Sequence, residues 1–290
     1  MNWFFLALIS ALFLSGSALV EKRGLRKVHS VDFAAAVSLW GLVFSVPFLF
    51  FIDFSVFSPR VVIFIGASAF VATTAFVLVA KGFRHLDISL VSPLLSLSPG
   101  VSAVLGFLVL GEVLDVQHIV GVCGMIVGSY ILAIDPNKTF LNSFREFRSS
   151  SYIQLVLFSL VFYSVGAVLD RIIVTDLAVS IPAFIFLFHI FIAIFSLIIA
   201  SIFGNGLRGV GVGVTRGGTS AVFVSLLTVG YRFFQAEALQ VAFVGLVSAV
   251  KRSSSFFTTL IGGELFHERH VGRRLFASAV IVAGAVLMIL

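Results

Sequence analysis

Lys251 and Arg252 stand side by side in the middle of an apolar run, residues 239–261, that is long enough to cross a bilayer. An ionisable group at that depth costs on the order of several kcal/mol unless it faces water or a partner, so the pair implies a compensating task. Arginine offers a planar fork for carboxylate or phosphate and lysine a compact charge, and together they suit an anionic group. At the helical angle of about 100° per residue, Gln240, Ser248, Lys251, Ser255, Thr258 and Gly262 fall on one side of the run, with Arg252 at its edge. The run at 88–110 has a matching side of small and polar residues, Ser89, Ser92, Ser96 and Pro99. Opposed across one cavity, these faces predict substrate contact by Lys251 and Arg252, with Ser92, Ser96, Ser248 and Ser255 as neutral hydrogen-bonding neighbours. The competing assignment is structural: Lys251 or Arg252 pairs with Asp170, Glu237 or Glu264, or snorkels to the interface.

Other ionisable residues suit coupling or gating. Glu112 and Glu268 close their runs at equivalent positions, where a carboxylate either exchanges protons or pairs with nearby Lys and Arg and caps the next helix. Glu237, close to Arg232, suits a gate or a hairpin ion pair. His189 is central in the run 181–203, as a hydrogen-bonded packing residue or a proton relay. Pro93 and Pro99 interrupt backbone hydrogen bonding in mid-run, shaping or bending that helix. No nucleophile and base occur at a recognisable spacing, and there is no nucleotide-binding loop or metal-ligand cluster. The expectation is therefore a non-enzyme with no catalytic residues, no cofactor and no metal. The single cysteine, Cys123, can form no intramolecular disulfide.

The elements that must carry these residues follow from composition. The chain is 60% hydrophobic and 11% charged, with a mean hydropathy of +1.17, far from the roughly 25% charged of soluble chains. That predicts an all-α integral membrane protein with ten transmembrane helices, near 2–20, 31–52, 60–80, 88–110, 116–134, 151–170, 181–203, 217–235, 239–261 and 271–290. Alternating ten-residue segments, which a barrel needs, are absent. The 34 phenylalanines suit lipid-facing surfaces, and the 25 glycines suit close helix contacts. The net charge of +6 is dispersed among short loops, which excludes a nucleic-acid surface.

The same chemistry recurs along the chain. Ala80, Leu90, Val91, Ser92, Ser98, Gly106, Glu112 and Gly128 meet Ala236, Leu246, Val247, Ser248, Ser254, Gly262, Glu268 and Gly284 at an offset of 156 residues. At an offset of 149, Ser10, Phe13, Ser15 and Ala18 meet Ser159, Phe162, Ser164 and Ala167, and Glu21-Lys22 meets Asp170-Arg171. The chain thus divides into a first repeat (1–134), a polar linker (135–150) and a second repeat (151–290), each of five spans. Since five is odd, the second repeat enters the membrane inverted, the arrangement by which secondary transporters expose one central site to either side.

The segment 80–132, above all Ser96-Leu97-Ser98-Pro99 through Gly111-Glu112 to Gly128, resembles the repeat of the drug/metabolite transporter superfamily, specifically its EamA type. The resemblance implies two EamA repeats and the export or exchange of small metabolites. In the second half Ser254-Ser255 replaces Ser98-Pro99, and Lys251-Arg252 stands where the first half has Leu95-Ser96. The adjacent Lys-Arg pair also resembles the phosphate-binding pair of the plastid sugar-phosphate translocators of that superfamily, which implies an anionic substrate.

The expectation is a secondary transporter moving a small polar or anionic metabolite by alternating access, as efflux or exchange. The alternatives are a flippase for lipid-linked substrates and a non-transporting membrane scaffold. Its partners are a small-molecule substrate and the lipid bilayer, not nucleic acid, and it is a monomer or homodimer. Lys22, Arg23, Arg26 and Lys27 after the first span argue for a retained helix rather than a cleaved signal. Fourteen of the 19 Lys and Arg fall in or at the edges of odd-numbered loops, against Arg60, Arg171 and Arg232 in or beside even ones, which puts both termini outside a cell membrane. Cysteines placed in the loop Lys22–Ser30 or in the linker should therefore resist an impermeant thiol reagent added to intact cells; ready labelling of both would reverse the orientation.

Overall fold

A computed structural model describes residues 2–86, 97–133 and 150–254, together with Val91, Leu94, Leu95 and several positions from 256 to 287. Among the described residues all regular structure is helical. The helices are α1 (Trp3–Leu25), α2 (Ser30–Ser45) with a 3-10 continuation (Val46–Phe51), α3 (Pro59–His85), α4 (Ser98–Leu105) with a π turn (Gly106–Leu110), α5 (Val116–Ala133), α6 (Ser151–Val174), α7 (Ile181–Phe203), α8 (Gly206–Leu239) and α9 (Val244–Arg252). Six of them, α1, α2 with its continuation, α3, α6, α7 and α8, are long and apolar enough to cross a membrane. α4 with its π turn and α5 are shorter apolar helices. The expected tenth span lies almost wholly outside the described residues, as does the linker except Ser150.

Helix starts follow local chemistry. The Ser58 hydroxyl accepts the Val61 amide at 3.4 Å while Pro59 opens α3 with a fixed φ and no amide to satisfy. Packing then falls into matched pairs. α1 lies along α8 as α6 lies along α3; α2 meets α8 as α7 meets α3; α9 meets α1 as α4 meets α6. Two further contacts, α2 with α7 and α4 with α9, join elements five spans apart.

Two departures from the expected boundaries bear on how the helices pack and on the Lys251 stripe. α8 begins at Gly206 rather than 217, because its run of glycines, poor in helix propensity, carries a packing role instead. A Cβ on Gly213 would press on the Asp32 carbonyl oxygen and stand 3.2 Å from the Ala36 Cβ, so only glycine lets α8 lie this close to α2. Asp32 completes the joint by accepting the Asn205 side-chain amide at 2.9 Å. The extension ends in a kink at Gly218, whose φ of 42° and ψ of −129° suit only glycine. The second departure concerns Gln240, expected on the Lys251 stripe. It is the exposed C-cap of α8, and a turn separates it from α9.

Gly213→Val should destabilise the protein by about 1 to 3 kcal/mol through overpacking against α2. Gly211→Ala, with nothing within 4 Å of the added methyl, should not. Thermal unfolding of both variants in detergent measures the difference.

Candidate functional site

The site begins with two broken helices. At Leu97 (φ −75°, ψ −14°) the amide bonds back three residues to Leu94 at 3.1 Å, and at Ser253 (φ −58°, ψ −14°) the amide bonds back three residues to Val250 at 3.0 Å. These are equivalent positions at the 156-residue offset. In the first half Pro99 explains the break, since it has no amide to give. The second half has no proline there, and instead the Ser253 hydroxyl donates to the Val250 carbonyl at 2.7 Å. Lys251 and Arg252 are the last residues of α9 before its break, so the interruption falls where the charges are.

Neither cation has a carboxylate partner among the described residues. The Lys251 ammonium donates to Gln235 Oε1 of α8 at 2.7 Å and lies 5.9 Å from the centre of the Tyr231 ring. Arg252 Nε donates to the Ser98 hydroxyl, at the start of α4, at 2.7 Å, and its guanidinium stands 5.5 Å from the centre of the Tyr163 ring of α6. Both contacts are with neutral groups, and both cations border one cavity with Tyr163, Tyr231, Gln235, Asp170 and Arg232.

Asp170 is already taken. Its Oδ2 accepts from Arg232 Nη1 at 2.8 Å and its Oδ1 from the Ser68 hydroxyl at 2.5 Å, while the Arg232 guanidinium lies 4.0 Å from the centre of the Phe188 ring. Asp170, Arg232 and Ser68 are all buried. The expected alternative pairing of Lys251 or Arg252 with Asp170 is thus replaced by Arg232, and so is the expected pairing of Arg232 with Glu237. The geometry explains why: Arg232 and Asp170 project from α8 and α6 into the same cavity.

Glu112 sits outside the spans, between the π turn and α5. Its Oε2 accepts the Val244 amide at 2.8 Å, capping α9, and its Oε1 lies 3.3 Å from Arg171 Nε of α6. Burial raises its carboxyl above the ordinary range, opposed by the Val244 amide and by Arg171. His189 Nδ1 donates to the Ile185 carbonyl at 2.7 Å, whereas its buried Nε2 has no partner among the described residues. It lines a second lobe of the cavity with Ser38, Ser196, Tyr163, Tyr231 and Arg232. Ser248 is buried on α9. Ser92, Ser96, Ser255, Glu264 and Glu268, and with them Ser89, Pro93 and Gly262, lie outside the described residues.

Sequence reasoning missed Tyr163, Tyr231 and Gln235, and counted Arg171 and Arg232 as loop charges. One signal was available for the acid: Asp170-Arg171 occupies the place of Glu21-Lys22 in the repeat. Asp170→Asn should strand the buried Arg232 charge and destabilise the protein by about 3 to 5 kcal/mol. Lys251→Gln, whose partner is a neutral amide, should leave folding nearly intact. Expression and melting temperature of the two variants, measured side by side, test this contrast.

Known proteins place this architecture. No curated protein sequence matches the chain. A solved crystal structure superposes with a TM-score of 0.74 over 98% of this chain and 95% of its own, at 15% sequence identity, a likeness of fold alone. Residues 1–134, which hold α1 to α5, match the EamA-like transporter family. The protein is a multi-pass membrane protein whose first 134 residues are similar to the EamA-like transporter family.

Proposed function

We propose that the chain is a secondary transporter for a small anionic metabolite, working by alternating access between two inverted five-helix repeats. The observation that carries this reading is the state of Lys251 and Arg252: two cations beside a cavity, held by neutral partners, while the neighbouring arginine is neutralised by Asp170. Such a cavity keeps net positive charge for a carboxylate or phosphate, and the Arg fork and Lys point charge supply its ligands. Alternating access gains support from the breaks at Leu97 and Ser253, since interrupted helices near the middle of the bilayer are where transporters build substrate sites. The paired contacts, α1 on α8 beside α6 on α3, favour a pseudo-two-fold axis relating the halves.

The transporter lies in the cell membrane with both termini outside. Engagement of half-buried Arg171 and buried Arg232 in ion pairs removes them from the loop count and leaves Arg60 as the exposed even-side charge, which favours that orientation further. Exchange or a proton gradient drives transport.

A thermal-stability screen of purified protein against carboxylates, phosphate esters and sulfate tests the reading, since a ligand bound to the folded state raises apparent stability. An anion should stabilise the wild type and lose its effect in Lys251→Ala. Lys251→Gln should weaken its binding by about 1.5 to 3 kcal/mol, the range for a charged hydrogen bond. Stabilisation that is equal in wild type and both variants would remove Lys251 from the site.

A further inference from the structure

Glu21 is the acid that the cavity leaves unanswered. It lies near the end of α1, is 4% exposed, and its Oε1 is buried without a hydrogen-bond partner among the described residues. It borders a lobe of the central cavity together with Ser17, Phe76, Tyr163, Thr228, Tyr231 and Thr258. Tyr163 and Tyr231 also border the lobe that holds Lys251 and Arg252, so the two regions meet at the same pair of rings.

The repeat shows what Glu21 lacks. Glu21-Lys22 corresponds to Asp170-Arg171, and the correspondence holds in the coordinates: Lys22 donates to the Phe83 carbonyl and Arg171 to the Leu239 carbonyl, positions 156 residues apart. Asp170 is neutralised by Arg232 of α8 and held by Ser68 of α3. At the same offset the counterparts of Arg232 and Ser68 are Phe76 and Val224. Phe76 does border the Glu21 lobe, so the arginine that answers one acid is replaced by an apolar ring beside the other.

Among the described residues the titratable groups facing Glu21 are Tyr163 from α6 and Tyr231 from α8; α3 presents Phe76, Val79 and Phe83, and the stretch after α9 presents Ser254 and Thr258. On its own helix, Lys22 directs its ammonium to the carbonyls of Phe83 and Leu86. An ionised carboxylate there, buried and without a counter-charge among the described residues, is strongly disfavoured.

We propose that Glu21 is the proton-carrying residue of this cavity, taking a proton from water on one side and releasing it to the other as substrate exchanges at Lys251 and Arg252. The proposal rests on the transporter reading and names its driving ion. When the lobe opens to water the carboxylate is solvated, and when it closes the acid must keep its proton. No bond other than O–H forms or breaks, and the proton comes from and returns to water. Asp170, permanently answered by Arg232, has no such cycle.

The test is an infrared pH titration of the purified protein in lipid nanodiscs, with sulfate as the anion probe. Wild type should show a protonated-carboxyl band that bleaches on alkalinisation. The band should be missing in Glu21→Gln and displaced in frequency in Glu21→Asp, both variants keeping the wild-type melting profile. Sulfate stabilisation should change roughly fivefold or more in apparent affinity across that titration in wild type and stay flat in Glu21→Gln, the size expected of two coupled sites. Lys251→Gln should lose sulfate stabilisation and keep the band. A Glu21→Gln spectrum identical to wild type, or a sulfate response with undiminished pH dependence, overturns the proposal. Absence of sulfate stabilisation in every variant instead counts against the anion site, and Glu21 then stands or falls on the infrared band alone.

Discussion

The buried Asp170–Arg232 pair is the constraint on which the centre of this molecule depends. With Ser68 it joins α6, α8 and α3 at one point, and all three residues are buried. A desolvated pair is weak evidence for net stability, but it is unforgiving when one member is removed. It also fixes the electrostatics of the cavity. By answering Arg232, Asp170 becomes unavailable to Lys251 and Arg252, which take Gln235 and Ser98 instead. The positive character of the site is thus a consequence of which cation reached the acid.

The same structural problem is met twice, with different results. At the end of each leading helix a cation, Lys22 or Arg171, reaches a main-chain carbonyl near the end of α3 or α8. In the second half Arg171 also stands at ion-pair distance from Glu112, which caps α9 through Val244. That chain of contacts runs from α6 through the turn after α4 to the start of the helix bearing Lys251. It binds the two halves at the helix that carries the charges, so Glu112 is first a structural tie between them.

What the sequence made legible was whatever depends on composition and register. Hydropathy located the spans of α1, α3, α6 and α7 within a few residues at the start, and α7 at both ends. The repeat aligns Glu21 with Asp170, but the span 239–261 reads as unbroken, and the break at Ser253, equivalent by offset to Leu97, appears only in the structure. Two kinds of feature were illegible. Glycines are expected at close helix contacts, but the glycine-rich segment before residue 217 falls outside the expected spans because propensity ignores tertiary contact, and there Gly213 serves α8 by letting α2 approach. Partner choice was also hidden: Arg232 is five residues from Glu237 in sequence but pairs with Asp170 across the bundle, a choice that only the packing of α6 on α8 decides.

Broken helices and close glycine joints make opposite demands on such a fold. Where α2 and α8 meet, the missing Cβ atoms let backbones lock at short range, and the Asp32–Asn205 bond holds them there. Where α4 and α9 meet, each helix has surrendered part of its regular hydrogen bonding at its break, and a freed backbone group in a membrane must be satisfied by neighbours or by a wet cavity. The Ser253 hydroxyl supplies one such replacement, and Arg252 crosses to Ser98 beside the other break. These replacements are side-chain bonds, which can exchange partners without unwinding a helix. On the proposed anion site, drawing Arg252 away from Ser98 acts on the α4–α9 contact itself, while the α2–α8 joint stays closed. On the proposed reading the binding residues and the hinge are the same residues, so occupancy of the site and the position of the two halves are coupled by contact rather than through a distant relay.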